Sequence, residues 1–357
     1  VFLSPLTHPP VVQVLHYLEL ADALDRSGIG TSVKHQRHAL QQMGVEVVET
    51  PWRGPFTNGP ASVLSGPIED ADVVHCNAIG PGTLAVAHSA RRADTPLVLH
   101  AHVTAEDFRG SFRLSNLLSG PLEAYLRRLY SLADVVCCPS EYTRRTLASY
   151  PIDAPIRTVS NGVDSESLRG FESLRSPSRE RFGLSGMVVF AVGNVFERKG
   201  VSAFCRLAQR TPFDFAWFGP YERGPLASMT VRRWTNDPPA NVTFTGWVDD
   251  IRGAYAAGDV FLFPTHVENQ GIAVLEAMAC GKPVVLRRLP VFEEYYTHGE
   301  DCLLCETFAE FRDALIRLRR NPALRERLGE NARRTAEKHS LDRVGAELLD
   351  VYQELLD

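Results

Sequence analysis

No apolar run in the chain approaches the roughly 18 residues that a membrane-spanning helix needs, so the sequence contains no transmembrane segment. A basic excess is also missing. The 38 Lys and Arg stand against 43 Asp and Glu, a formal charge of −5 that argues against a general nucleic-acid binder. Lysine is scarce, at Lys34, Lys199, Lys282 and Lys338, and the remaining positive charge is arginine, the better group for forked phosphate contacts. Aromatics reach only 9% within a hydrophobic share of 44%, the balance of a soluble globular protein. The seven cysteines are odd in number and scattered, with Cys76, Cys137 and Cys138 inside apolar runs. That pattern fits reduced thiols in a cytoplasmic protein. Cys302-Leu-Leu-Cys305 has half of a zinc spacing but no second pair, and no D-x-D-type site stands out, so neither a metal nor another cofactor is expected. Val1–Pro10 lacks the basic and apolar regions of a signal peptide and reads as a lead-in or an over-extended start.

What is present is a repeated alternation of strand-like and helical stretches. Val12–Leu18, Val45–Val48, Asp72–Cys76, Pro96–His100 and Asp134–Cys138 are short apolar runs, with helical spacing between them at Thr31–Met43 and Gly82–Arg92. The same pattern restarts at Met187–Val192, Phe213–Phe218, Val242–Thr245, Val260–Pro264 and Pro283–Leu286. A chain of 357 residues is long enough for two domains. The expected fold class is therefore α/β, with two Rossmann-like doubly wound domains facing a cleft. They are placed at 1–164 and 183–339, with 165–182 as the linker. From Phe308 to Leu356 the spacing is helical, with turns at Asn321-Pro322 and His339-Ser340.

One stretch organises the rest. Glu268-Asn-Gln-Gly271-Ile272-Ala273-Val-Leu-Glu276-Ala-Met-Ala-Cys-Gly281-Lys-Pro283 follows the strand Val260–Pro264, and Gly281 fits a helix stop. The two acids thus straddle a turn from a strand's carboxyl end into a helix, where open α/β sheets bind ligands. The first-turn amides of Gly271, Ile272 and Ala273 suit a phosphate. An unpartnered carboxylate among Leu275, Ala277 and Met278 costs several kcal/mol, so Glu276 needs donors. Those donors are the hydroxyls of a sugar or ribose on one reading. On the other, Glu276 is a structural salt-bridge partner and Glu268 a solvated loop residue.

Three further stretches carry candidate chemistry. Ser27-Gly28-Ile29-Gly30 opens the helix after the first strand, and its glycines permit φ > 0 and close backbone approach to an anion, though the G-x-G-x-x-G fingerprint is incomplete. A plain strand-to-helix turn is the alternative. Gly193-Asn194-Val-Phe-Glu197-Arg198-Lys199-Gly200 sets two cations beside a glycine turn, which suits a diphosphate; a solvated basic turn is the alternative. His100-Ala-His102 ends the fourth strand of the first half, and at most one of the pair is expected to face the cleft. Glu106 and Asp107 read as caps of the next helix.

Two glutamates with seven residues between them on a strand–loop–helix, followed by Ala-Met-Ala-Cys-Gly-Lys-Pro, resemble the signature of family 4 glycosyltransferases of the GT-B fold. That resemblance implies a retaining hexosyltransferase taking its sugar from a nucleotide-diphosphate donor, UDP-glucose or UDP-galactose, to an α-linked product without a metal. It implies that His102 and Glu268 act on the transferred sugar, with His100 deeper in its strand. Gly28, Gly30, Arg198, Lys199 and the amides of Gly271, Ile272 and Ala273 would meet the diphosphate. Glu276 would hold donor hydroxyls, and Val248 would lie near the base. Asn194 stands where many members have Arg, and Arg198 is read as the replacement. The last helix, about 340–357, is expected to cross back onto the first domain.

The blocks Ser27–Leu40, His102–Leu118 and Phe196–Gly200 further resemble the subgroup that adds a second hexose to monoglycosyl-diacylglycerol, which implies a glycolipid acceptor. Between Phe112 and Leu132 the leucines are spaced amphipathically among Arg109, Arg113, Arg127 and Arg128, a pattern that fits an anionic membrane surface. The expected location is accordingly cytoplasmic, peripheral on the inner face of the cell membrane. An ordinary core-facing helix with Arg on its wet side is the other reading of that segment. The rivals in function are a soluble or polysaccharide acceptor, an NAD(P)-dependent Rossmann enzyme, and a nucleotide-sugar-binding module without catalysis.

Overall fold

The structure, a computed structural model, describes residues 12–52, 67–109, 115–222, 224 and 227–357. The lead-in Val1–Pro10 and, within the amphipathic segment, Phe112, Arg113 and Leu114 lie outside the described residues. The first half forms a parallel sheet from β1 (Gln13–Glu19), β2 (Glu46–Trp52), β3 (Val73–Cys76), β4 (Leu97–His100), β5 (Val135–Cys138) and β6 (Ile156–Thr158), in the order β2-β1-β3-β4-β5-β6. The second half repeats this with β7 (Val188–Val192), β8 (Asp214–Phe218), β9 (Val242–Gly246), β10 (Val260–Phe263), β11 (Val284–Arg287) and β12 (Leu303–Cys305), in the order β12-β11-β10-β7-β8-β9. Helices cover both faces, so the central strands are buried throughout; β7 and β10 read as unbroken apolar runs, and β3 is interrupted only by His75. Strand order reverses between β1 and β3 and again between β7 and β10, and a crevice for ligand opens at the carboxyl end of each reversal.

Two strands were not foreseen from the sequence. The edge strand β6 is only Ile-Arg-Thr and none of it is fully buried, so it lacks an apolar run. The other, β12, contains the second cysteine of the Cys-x-x-Cys spacing. Its thiols serve packing: Cys302 lies in one core cluster of the second half and Cys305 in another. The polar stretch 165–182 also has structure of its own, a 3-10 turn at Phe171–Leu174 and a helix at Arg175–Phe182. That helix has no fully buried residue, and ion pairs dock it: Arg175 and Arg179 reach the two oxygens of Asp259 at 2.5 and 2.6 Å.

The helix Pro322–Glu337 packs on the second half, where Gly329 is small enough to meet the Gly281 carbonyl. After Ser340 the helix Leu341–Leu356 changes partner. Its Val344, Leu348, Val351 and Tyr352 join Val14, Leu40, Val98 and Val135 in a core cluster of the first half. Gly345 allows this approach, because a Cβ there would stand 2.7 Å from the Ala39 carbonyl oxygen.

Candidate active site

The basic turn after β7 and the loop after β10 meet at the reversal point of the second sheet. Gly200 makes this contact possible: at φ +81° it lies so close to Pro264 that a Cβ would fall 2.2 Å from the proline carbonyl oxygen. The Arg198 carbonyl accepts from the His266 amide at 2.7 Å and from the Thr265 hydroxyl at 3.2 Å, which ties the two loops together. Within this frame Lys199 bonds Glu268, Arg198 stands 3.6 Å from the same carboxylate oxygen, and the Thr265 hydroxyl donates to it at 3.2 Å. Burial lowers the pKa of Lys199, while Glu268 and Asp107 oppose that shift. Two cations thus converge on one carboxylate, a cluster suited to receive further negative charge.

The next helix, Ile272–Ala279, starts at Gly271 with φ +89° and has no side-chain cap. Its first amides are therefore available to an outside acceptor, beside the Lys199–Glu268 pair. One turn into the helix, Glu276 accepts from the Tyr255 hydroxyl at 2.5 Å, and burial pushes its pKa up to about 7. Its partner is a hydroxyl rather than a cation, so the salt-bridge reading of Glu276 does not hold. Val248 is core: it is buried in the same cluster as Phe218 and Ala254, which leaves its backbone as the part open to a ligand.

On the facing half, His102 lies just past β4. Its Nε2 is 3.0 Å from Asn77 Oδ1, so Nε2 carries the proton and Nδ1 is left as an acceptor. Burial lowers its pKa to about 3, and the ring is neutral near pH 7. Residues two apart on an extended chain share a face. The His100 ring accordingly stacks on that of His102 with centroids 4.3 Å apart. Depth rather than face separates the two: His100 is fully buried and bonds Gln36, while His102 is half-buried.

Asp107 caps its short helix, as one reading had it, with its Oδ1 taking the Thr104 amide in a capping box. It also does something the sequence did not suggest. Its Oδ2 accepts from Asn269 at 2.5 Å, and burial raises its pKa to about 6 in the field of Arg198 and Glu268. The structure therefore brings His102, Asp107, Arg198, Lys199 and Glu268 into one neighbourhood between the sheets.

Other expected residues are placed differently. Gly28 and Gly30 open the helix Gly28–Gln42, but neither has a positive φ. Gly30 is required for packing, since a Cβ would meet the Leu24 carbonyl oxygen at 2.3 Å, and its amide already donates to the capping Ser27 hydroxyl. Arg127 is held by Glu123 at 2.5 Å and lies over the Tyr150 ring, so it is no free surface cation. Arg128 is exposed, as is Arg109, which donates to Ser119 at 3.3 Å. Neither lies in the crevice cluster. The helix Ser115–Tyr130 buries Leu126 and Leu129, yet leaves Leu117 at 76% and Leu118 at 49% exposure. No helix among the described residues is long and apolar enough to cross a membrane. Among the same residues no group of three or more His, Cys, Asp or Glu is arranged to hold a metal ion.

Comparison with known proteins agrees with this geometry. Residues 16–167 match the model of "Glycosyltransferase Family 4", and residues 186–321 match that of "Glycosyl transferases group 1". The chain is 29% identical to the processive diacylglycerol alpha-glucosyltransferase of Acholeplasma laidlawii, over 97% of this chain and 99% of that protein. It is 28% identical to the alpha-galactosylglucosyldiacylglycerol synthase of Streptococcus pneumoniae, over 80% of this chain and 78% of that one. Among solved structures, Anabaena HepE in complex with UDP-glucose superposes with a TM-score of 0.77 at 17% identity, covering 96% of this chain and 99% of that one. The sucrose-phosphate synthase of Thermosynechococcus elongatus superposes equally well, with the same TM-score, identity and coverage. With two parallel sheets, an acidic signature at the second reversal point and family matches over both halves, the chain belongs to the family 4 glycosyltransferases of the GT-B fold.

Proposed function

We propose that the protein is a retaining hexosyltransferase that moves glucose or galactose from its UDP derivative to a glycolipid, forming an α-linked glycosyl-diacylglycerol. The observation that carries this reading is the convergence of Lys199 and Arg198 on Glu268 beside an uncapped helix start, opposite the His102 loop. In this reading the donor diphosphate lies against Arg198, Lys199 and the amides of Gly271, Ile272 and Ala273. These fixed donors meet the charge that builds on the leaving group, usually the largest catalytic contribution. Glu268, released from the two cations by the diphosphate, takes hydroxyls of the transferred sugar. Glu276, oriented by Tyr255, accepts from the ribose. The neutral His102 receives a sugar hydroxyl at Nδ1. The leaving phosphate takes the acceptor proton, so the new bond forms on the face the diphosphate leaves.

The relatives named for transfer to diacylglycerol support the lipid acceptor. So do the exposed Leu117 and Leu118 at the start of an otherwise core-facing helix, with Arg109 and Arg128 to meet anionic headgroups. On this reading the protein works from the cytoplasm, peripheral to the membrane. The deciding experiment is a panel of nucleotide sugars with and without monoglucosyl-diacylglycerol in anionic liposomes, with the product anomer read by NMR. The reading requires UDP-sugar consumption that depends on the glycolipid and gives an α-linked product. Transfer only to soluble acceptors, or a β-linked product, would overturn it.

A further inference from the structure

Glu268 is followed by two amide side chains that point out of their own domain. Asn269 donates from Nδ2 to Asp107 Oδ2 at 2.5 Å and to the His102 carbonyl at 3.2 Å. Its own carbonyl and side-chain oxygen accept from the Thr143 hydroxyl at 3.3 and 3.4 Å. Gln270 is buried, accepts from the Asn161 amide at 2.8 Å and donates to the Ser160 hydroxyl at 2.8 Å. All these partners belong to the first half. Asn161 continues inward, taking the Ser32 hydroxyl at 2.7 Å and lying 3.0 Å from His35 through its carbonyl. A polar chain therefore runs from the helix after β1, through Asn161 and the dipeptide, to the residue next to Glu268.

We propose that Asn269 and Gln270 are positioning residues that hold the signature loop against the first half, so that Glu268 and His102 address the same sugar. The proposal rests on the reading of those two side chains as the sugar-transfer groups. Apolar side chains would bring the halves together without fixing where one stands on the other. Amide groups whose donors and acceptors are all engaged across the contact fix that register, because a shift leaves buried polar groups unpaired. The bond to Asp107 is central. Asn269 Nδ2 donates at once to the Asp107 carboxylate and to the backbone of His102, so one atom sets the spacing between both residues and Glu268.

The bond also offers a test that plain loss of packing would not imitate. Arg198, Lys199 and Glu268 face Asp107 from the second half, the Thr104 amide from its own helix, and Tyr130 from the helix Ser115–Tyr130. Asn269→Asp sets a second carboxylate against it. At about pH 8 both are charged and repel, whereas near pH 5.5 one shared proton restores a hydrogen bond. The exchanged pair Asp107→Asn/Asn269→Asp restores the bond between residues 107 and 269 at either pH, but leaves the His102 carbonyl without its donor.

Sugar transfer, UDP affinity and small-angle scattering are compared for the wild type and these two variants. In Asn269→Asp, kcat should fall about 30-fold at pH 8, with the UDP Kd within about twofold, and recover to within about threefold near pH 5.5. Its radius of gyration should rise at pH 8 and return at pH 5.5, while the exchanged pair should show no such pH-dependent expansion and at pH 8 a kcat between those of Asn269→Asp and the wild type. If scattering follows this pattern while the wild type moves no sugar, the register stands and the proposed function fails. If the wild type transfers sugar and Asn269→Asp matches it in kcat, pH profile and scattering, the proposal is overturned. Should that variant melt far below wild type, Asn269→Ala replaces it, and an unchanged kcat there overturns the proposal equally.

Discussion

The second sheet buries aromatic rings where the first buries imidazoles. Phe190, Phe204, Phe215, Trp217 and Phe261 are fully buried and meet edge to face, with centroids 5.0 Å apart for Phe204 and Trp217 and 5.2 Å for Phe190 and Phe261. On the first sheet His16 and His75 are paired in register, with rings 4.9 Å apart, and His100 stacks on His75 at 5.6 Å. His75 bonds the Tyr352 hydroxyl at 2.7 Å. Both ring nitrogens of His16, Nε2 of His75 and of His100, and Oε1 of Gln36 are buried without a partner among the described residues. Each such atom costs about 1–3 kcal/mol, and the aromatic core of the second half carries one of its own, the Tyr296 hydroxyl. The second half thus packs more aromatic rings into its core, whereas the first places more buried polar atoms in its sheet.

This comparison breaks most easily through its strongest member. Trp217→Ala removes a fully buried indole and the bond from its Nε1 to the Gly193 carbonyl at 2.8 Å, which anchors the end of β7. A loss of about 3–5 kcal/mol in the unfolding of the second half is expected, measured by calorimetry or urea titration. A loss below about 1 kcal/mol would mean that the ring cluster is not what holds this half together.

His102→Ala comes next. It leaves the second half intact, so UDP affinity should barely change while kcat falls about a hundredfold. His100→Ala should instead act on folding. Near-normal kcat in the His102 variant, on the best glycolipid acceptor, would return that residue to packing.

Glu276→Gln should weaken nucleotide binding about tenfold, since a neutral amide accepts hydroxyls less strongly than a carboxylate. Because burial sets the Glu276 pKa near about 7, wild-type affinity should rise as pH increases through that value and the group ionises. The Gln variant should show no such rise, and an identical pH profile in both proteins would remove Glu276 from the nucleotide site.

The smallest effect concerns the imidazoles. The pKa of His16 is lowered to about 3 by burial, with Arg37 adding to the shift. Between its unfolded value near 6.5 and about 3 the unfolded chain binds the extra proton, so stability falls as pH drops through that window. His16→Leu should flatten this dependence and raise stability at neutral pH by about 1 kcal/mol. An unaltered pH dependence in the variant would show that the acid sensitivity arises elsewhere.

Much of the fold was legible because buried parallel strands announce themselves as unbroken apolar runs: Val188–Val192 is buried at every position. The short edge strand Ile156–Thr158 carries no such run. At the site, Glu268, Glu276, Arg198 and Lys199 were legible from residue type and spacing. Asn77, Thr265, Asn269, Gln270 and Tyr255 were not. Amides and hydroxyls are common in loops, and only the tertiary arrangement shows that Asn269 reaches across to Asp107 or that Tyr255 holds Glu276. Asn269-Gln270 did leave one trace, two large polar side chains inside an otherwise small and apolar signature. In Ser27-Gly-Ile-Gly the spacing did not show that Gly30 is small to admit the Leu24 carbonyl or that its amide is taken by Ser27, while Gly28 has open space about it.

The central claim is that Arg198 and Lys199, beside Glu268, form the diphosphate site. Titration calorimetry of Arg198→Ala/Lys199→Ala with UDP and with uridine tests it directly, because only UDP carries the charge these residues address. The account predicts that UDP affinity falls by about a hundredfold while uridine affinity stays within about twofold. Equal losses for the two ligands, in a variant that melts like the wild type, would contradict it.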